Sequence, residues 1–259
     1  MCLILFGYRV HPQYELIIAA NRDEFYERPT LRAGWWEENP SLLAGKDLKA
    51  GGTWLGLSKN GRFSAITNFR EPFNIKPDAP SRGALVTDFL AGDQFVMPYQ
   101  NELRAKAADY NGFNLLTYDG ENLGWFSNRG ELGILLTPGI YGLSNHLLDT
   151  AWPKVRRGKQ DLSQIISPQM EIDTEALFFM MENETRAPDH ELPQTGVSPE
   201  WEKILSAMCI KSPSYGTRVT TVILLDKKGK VFFEERSRIS AENPVKFEFH
   251  SNRIFEDSF

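Results

Sequence analysis

Two cysteines occur in the chain, and one of them, Cys2, follows directly behind Met1. A residue as small as cysteine in second place normally permits removal of the initiator methionine, which leaves Cys2 with a free α-amine. Amine (pKa about 8) and thiol (pKa about 8.5) then sit on one residue, so the amine can take the thiol's proton as sulfur attacks a carbonyl carbon. The ordinary alternative is a small strand residue inside the apolar run 2–6.

Four polar clusters could complete such a site: Asn21-Arg22-Asp23-Glu24, Asn68 with Arg70-Glu71, Asn145-His146, and Tyr215-Gly216-Thr217-Arg218. Each falls at a strand end or in a strand-flanking loop, where a scaffold presents side chains at fixed geometry. Each also has an ordinary reading as turn chemistry or a solvated ion pair.

The elements that must position them are mostly hairpins. Residues 2–10 and 14–20 flank a turn at His11-Pro12-Gln13, the second run apolar enough for a strand covered on both faces and ending at Asn21. Further hairpins are predicted over 53–58 and 62–68 around Asn60-Gly61, over 113–118 and 122–126 around Asp119-Gly120, and over 217–225 and 230–235. A short strand is expected over 140–144. Helices are predicted over 82–91, 94–109 with Asp93 as N-cap, 152–166, 174–181 and 200–207, with a Pro-rich connection over 187–199. Hairpins with helices clustered between them predict an α+β fold with antiparallel sheets. No linker-like stretch divides the chain, so one domain spanning 1–259 is expected.

Composition removes several classes. The formal net charge of −5 argues against a dedicated nucleic-acid partner, and no apolar stretch reaches a membrane span. Two cysteines cannot build a disulfide framework, and the start lacks a signal-peptide pattern, so a cytoplasmic location is expected. The four histidines are scattered, which predicts no metal site. No cofactor is expected. Gly51-Gly52-Thr53 lacks phosphate-loop spacing and reads as a close backbone approach near Trp54. The basic run Lys154, Arg156, Arg157, Lys159 reads as a solvated helix face, and Cys209 as a packed core thiol.

Taken together, the blocks Asn21–Glu24, Gly51–Gly56, Thr67–Arg70, Tyr141–Asn145 with Leu148–Thr150 and Trp152–Lys154, and Tyr215–Arg218, in this order behind Met-Cys, resemble the NRDE family, also called the transport and Golgi organization 2 family. The resemblance covers roughly residues 1–235. It implies an N-terminal-nucleophile hydrolase fold, a four-layer αββα sandwich, distantly similar to choloylglycine hydrolase and penicillin V acylase. It implies Cys2, Asp23, Asn68, Asn145 and Arg218 as catalytic candidates, with Asn21, Arg22, Trp54, His146 and Tyr215 as substrate-binding candidates. The hydrolase group carries an arginine three residues before its aspartate; here that position is Ala20. Arg22 lies beside Asp23, on the opposite face of a regular strand, so both enter one site only if the chain turns or bulges there, and Arg218 could supply the positive charge instead. The expected activity is hydrolysis of a small non-peptide amide or thioester by Cys2. The alternatives are a non-catalytic protein that binds a haem- or lipid-type ligand in the same cleft, and a scaffold using its Trp-rich surface. In each of the first two the partner is a small molecule; the oligomeric state is left open.

Overall fold

The structure, a computed structural model, describes residues 2–169 and 171–252. In chain order the elements are β1 (Cys2–Tyr8), β2 (Tyr14–Phe25), β3 (Thr30–Trp35), β4 (Leu42–Asp47), β5 (Leu55–Ser58), β6 (Phe63–Asn68), α1 (Gly83–Ala91) and α2 (Val96–Lys106). There follow β7 (Phe113–Tyr118), β8 (Leu123–Ser127), β9 (Ile134–Leu135), β10 (Gly139–Leu143), α3 (Pro153–Ile165), α4 (Thr174–Met181), α5 (Pro199–Leu205), β11 (Tyr215–Asp226), β12 (Lys230–Ser237) and β13 (Val245–His250).

The strands form two antiparallel sheets, one ordered β10-β1-β2-β11-β12-β13 and the other running β3 to β9 in chain order. The two-residue period of each strand sorts the layers. On β1 and β2, Ile4, Phe6, Leu16, Ile18 and Ala20 point into a core shared with Leu43, Leu57, Phe63 and Leu116 of the second sheet. The alternate residues Leu3, Leu5, Ile17 and Ala19 pack against Val155 and Leu162 of α3 and Leu177 and Phe178 of α4. Leu42, Ala44, Ile66 and Leu115 pack against Leu85, Phe89, Val96 and Leu103 of α1 and α2. The result is the expected αββα sandwich. Each fully buried Leu, Ile or Phe contributes about 1.5–3 kcal/mol.

Several expectations needed correction. Strand β2 does not stop at Ala20 but runs through Asn21–Glu24 to Phe25, because β11 pairs with it along that whole length. Val96 N–H is capped at 2.8 Å by Asp119 Oδ2 from the β7–β8 turn, and Phe95, not Asp93, occupies the N-cap. Strands β3, β4 and β13 were not foreseen. The Gly52 expectation holds: a Cβ there would lie 2.5 Å from the Gly83 carbonyl carbon, so only glycine lets this loop meet the start of α1. No helix among the described residues is long and apolar enough to cross a membrane.

Candidate active site

Strand parity puts Cys2 on the inter-sheet side, with Ile4 and Phe6, at the end of β1. It opens onto a cavity of about 750 Å³ whose walls include Arg22, Asp23, Trp54, Asn68, Arg82 and Arg218. Cys2 pairs with Arg22 in the ladder, and its carbonyl accepts from Ser144 Oγ at 3.1 Å. Burial pushes the thiol up to about 11, against the lowering influence of the Arg22 charge. At neutral pH this sulfur is therefore protonated and needs a base before it can attack.

Asp23 lies on the helix-facing side of β2, in step with Ile17, Ala19 and Asn21, and is 1% exposed. Its Oδ1 accepts from Thr217 Oγ1 at 2.6 Å. Burial raises its pKa above the usual carboxylate range, and the Lys154 charge is the largest influence opposing that rise. The pairing is irregular at this point: Asp23 faces Thr217 while Arg22 faces Val219, leaving Arg218 as the extra residue. Arg22, Asp23 and Arg218 all border one cavity.

Asn68 closes β6 from the second sheet. Its side-chain amide makes no hydrogen bond among the described residues and lies half-buried in the cavity wall. The strand end is held from behind: Asn145 Nδ2 donates to the Asn68 carbonyl at 3.0 Å, Arg70 N to the Asn145 carbonyl at 2.7 Å, and Thr67 Oγ1 to the Ser144 carbonyl at 2.6 Å. These bonds sew the end of β6 to the segment after β10.

The sequence model for Transport and Golgi organisation 2 matches residues 1–240. The chain belongs to this family. The Transport and Golgi organization 2 homolog of Mus musculus is 40% identical over 263 residues, covering 93% of this chain and 95% of the mouse protein. Transport and Golgi organization protein 2 of Drosophila melanogaster is 31% identical over 268 residues, 92% of each chain. Among solved structures, a mutant conjugated bile acid hydrolase from Clostridium perfringens matches with a TM-score of 0.51 at 10% identity, over 97% of this chain and 93% of that one. That likeness is one of fold, the N-terminal-nucleophile hydrolase fold.

The family's sequence blocks divide once placed in the fold. Cys2, Arg22, Asp23, Trp54, Asn68 and Arg218 share the cavity. Arg218, however, is already engaged: its Nη1 donates to the carbonyls of Phe25, Tyr26 and Arg28 at 2.8, 3.1 and 2.5 Å, and its Nη2 to Thr30 Oγ1 at 3.2 Å. It ties down the turn between β2 and β3. Asn145 stands behind Asn68 and is wholly buried. Asn21 is wholly buried and saturated, donating to the carbonyls of Met181 and Met208 at 2.9 Å each and accepting from Thr220. Tyr215 packs edge-on against Phe25 and Trp201. His146 belongs to a second hollow of about 310 Å³, where its Nδ1 meets Thr150 Oγ1 at 2.9 Å and burial lowers its pKa.

Sequence reasoning gave no separate role to several polar groups that the fold buries. Thr217 stood inside a quoted block without a role. Lys154, expected on a solvated face, is 1% exposed, and Arg70 and Glu202 form a buried ion pair at 2.8 Å. A signal for Lys154 did exist: it is spaced four residues before Gly158, where a Cβ would strike Leu5 at 2.4 Å, so both lie on the face of α3 pressed to β1. Among the described residues no cluster of three or more His, Cys, Asp or Glu is arranged to hold a metal ion.

Proposed function

We propose that this protein is an N-terminal-cysteine hydrolase of a small non-peptide amide or thioester. The observation that carries the reading is that Cys2, Asp23 and Asn68 border one cavity, the Asn68 amide making no hydrogen bond among the described residues. Met1, whose removal frees the α-amine, lies outside the described residues.

The chemistry follows from charge development. The Cys2 α-amine accepts the thiol proton as Sγ bonds to the carbonyl carbon. The Asn68 amide donates to the oxyanion that forms, an interaction worth about 3–4 kcal/mol of barrier. The C–N or C–S bond then breaks, and the amine's proton passes to the leaving group. Water attacks the acyl-thioester, releasing the acid and restoring the thiol. Asp23 holds the amine by a charge-assisted hydrogen bond, and Arg22 tempers the cost of the thiolate.

A second reading, non-catalytic ligand binding, is favoured by the thiol's position near 11: without a freed amine Cys2 is inert. The names of the relatives, which speak of transport and Golgi organisation, accord with it. A panel of small amides and thioesters separates the two. Hydrolysis with a trapped acyl adduct on Cys2, abolished in Cys2→Ala, supports the first. A ligand bound equally well by Cys2→Ala, with no adduct and no turnover, supports the second.

A further inference from the structure

Most cations in the wall of the Cys2 cavity already have partners. Arg22 and Arg28 share Asp47, at 3.4 and 2.6 Å. Arg218 is filled by the backbone carbonyls of the turn after β2. Arg32 faces Glu242 at 3.6 Å, Lys46 pairs with Glu38, and Lys49 is solvent-exposed. Arg82 is the exception. It is half-buried in the wall, joins no ion pair among the described residues, and makes a single hydrogen bond among them, from Nη1 to the Gly112 carbonyl at 2.9 Å. The carboxylates whose charge reaches it, Glu24 and Glu71, are held elsewhere. Glu24 accepts from Phe25 N at 2.9 Å and faces Arg28, and Glu71 accepts from Arg129 Nε at 2.9 Å.

The place of this guanidinium is well defined. The Gly112 carbonyl that takes its Nη1 also accepts Phe69 N–H at 2.9 Å, so one oxygen ties Arg82 to the residue next to Asn68. The neighbouring wall at Pro77 and Pro80 follows a segment that is also fixed: Asn111 Oδ1 accepts from Lys76 N at 2.8 Å, and its Nδ2 donates to the Lys76 carbonyl at 3.0 Å.

The fold itself gives little reason for an arginine here. Gly112 has a backbone donor without it. Arg82 immediately precedes α1, at the positive end of the helix dipole, where a cation is disfavoured. Taking a guanidinium partly out of water without a counter-charge also costs free energy. Of its five N–H donors, one is used.

Resting on the reading of this cavity as the substrate site, we infer that Arg82 is a specificity-determining residue whose open N–H fork holds an anionic group of the substrate, a carboxylate or a phosphate, on the Asn68 side of the cavity. A planar guanidinium fork matches two oxygens of one such anion. The substrate is therefore a small amide or thioester that carries negative charge close to its acyl bond. Arg82 makes and breaks no bond; its loss acts on binding.

The test measures binding without turnover. Glutarate and inorganic phosphate are the probes, glutaramide is the neutral control, and ionic strength is held constant. The proteins are the parent, Arg82→Gln, which keeps an N–H donor for Gly112 but no charge, and Lys49→Met, which removes the exposed cation. Thermal melts and the rate of Cys2 alkylation by iodoacetamide are followed against probe concentration. In the parent at least one anion is expected to raise Tm and slow Cys2 labelling, and glutaramide to do neither. Which anion acts distinguishes a carboxylate from a phosphate ligand. Arg82→Gln should weaken that anion about tenfold, the loss of one charge-assisted contact. Lys49→Met should stay within about twofold of the parent. An equal response in Arg82→Gln, a response lost in Lys49→Met instead, or no anion effect in the parent overturns the inference. Should Arg82→Gln not fold, the parent decides: protection by an anion and not by glutaramide supports it, and equal or absent protection overturns it. Retained Met1, or no turnover of any amide or thioester, removes the hydrolase reading alone, because the anion response in Tm needs neither.

Discussion

The two helical layers each hide a cation, and they treat it in opposite ways. Under α1, Arg62 donates from Nε to the Phe89 carbonyl at 3.1 Å and from Nη2 to the Gln94 carbonyl at 2.6 Å, and lies over the Phe89 ring. It sits at the helix's negative end, where a cation is favoured. Under α3, Lys154 sits at the positive end without a hydrogen bond among the described residues. A saturated buried charge holds the fold together. An unsaturated one, such as Lys154, costs it stability.

The same contrast separates Asn68 in the cavity wall from Asn145 behind it, and it yields the largest expected effect. On the proposed mechanism, Asn68→Ala should lower kcat by about 10²–10³ with little change in KM, because that amide, without a hydrogen bond among the described residues, would donate to the oxyanion. Asn145→Ala should instead lower stability, since it strips a buried donor from the Asn68 carbonyl. Steady-state kinetics and thermal melts of both variants check this, and matching kinetic losses with unchanged melting would erase the distinction.

Arg62→Ala comes next. It removes two charge-assisted hydrogen bonds and should cost about 3 kcal/mol of stability, leaving Cys2 labelling within twofold of the parent. Lys154→Met is its mirror image: it removes a buried charge that has no hydrogen bond among the described residues and should leave stability at pH 7 unchanged or raised. Denaturant titration should move the two variants in opposite directions, and a matching loss in both would erase the contrast.

A smaller effect is the pH dependence of melting. Lys154 has a folded pKa depressed from 10.5 to about 8, so the native state binds fewer protons than the unfolded chain across that window. Its contribution is present above 10.5 and is lost as pH falls through 8. The Tm of the parent should therefore gain on that of Lys154→Met between pH 8 and 10. The Cys2 thiol, raised from 9.0 to about 11, works in the other direction, losing stability as pH rises, but it is present in both proteins.

Much of the scaffold was legible in the sequence because hairpins announce themselves through apolar alternation and Gly-containing turns. The helix over 174–181 was read with its true bounds. The end of β2 was misread because Asn21–Glu24 looks like a polar terminus; only pairing with a strand some two hundred residues away keeps it extended. Strand β13 was missed although Val245, Phe247 and Phe249 alternate with Lys246, Glu248 and His250 in a two-residue period. The cavity's main residues could be gathered from family blocks, but the sequence could not tell a free amide from a saturated one. Asn68 and Asn145 look alike until their partners are placed. Lys154 was obscured by its neighbours: Arg156 and Lys159 face outward to varying degrees, while the helical period turns Lys154 inward with Val155, Gly158 and Leu162.

The most direct test of the central claim is intact-mass spectrometry of the protein from its native host, before and after a thiol-directed alkylating probe, with the labelled site mapped. The account predicts a mass lacking Met1 and rapid, single-site labelling at Cys2. A retained Met1 with sluggish labelling at Cys2 would contradict it, because a thiol near 11 with no amine on its own residue cannot begin the reaction.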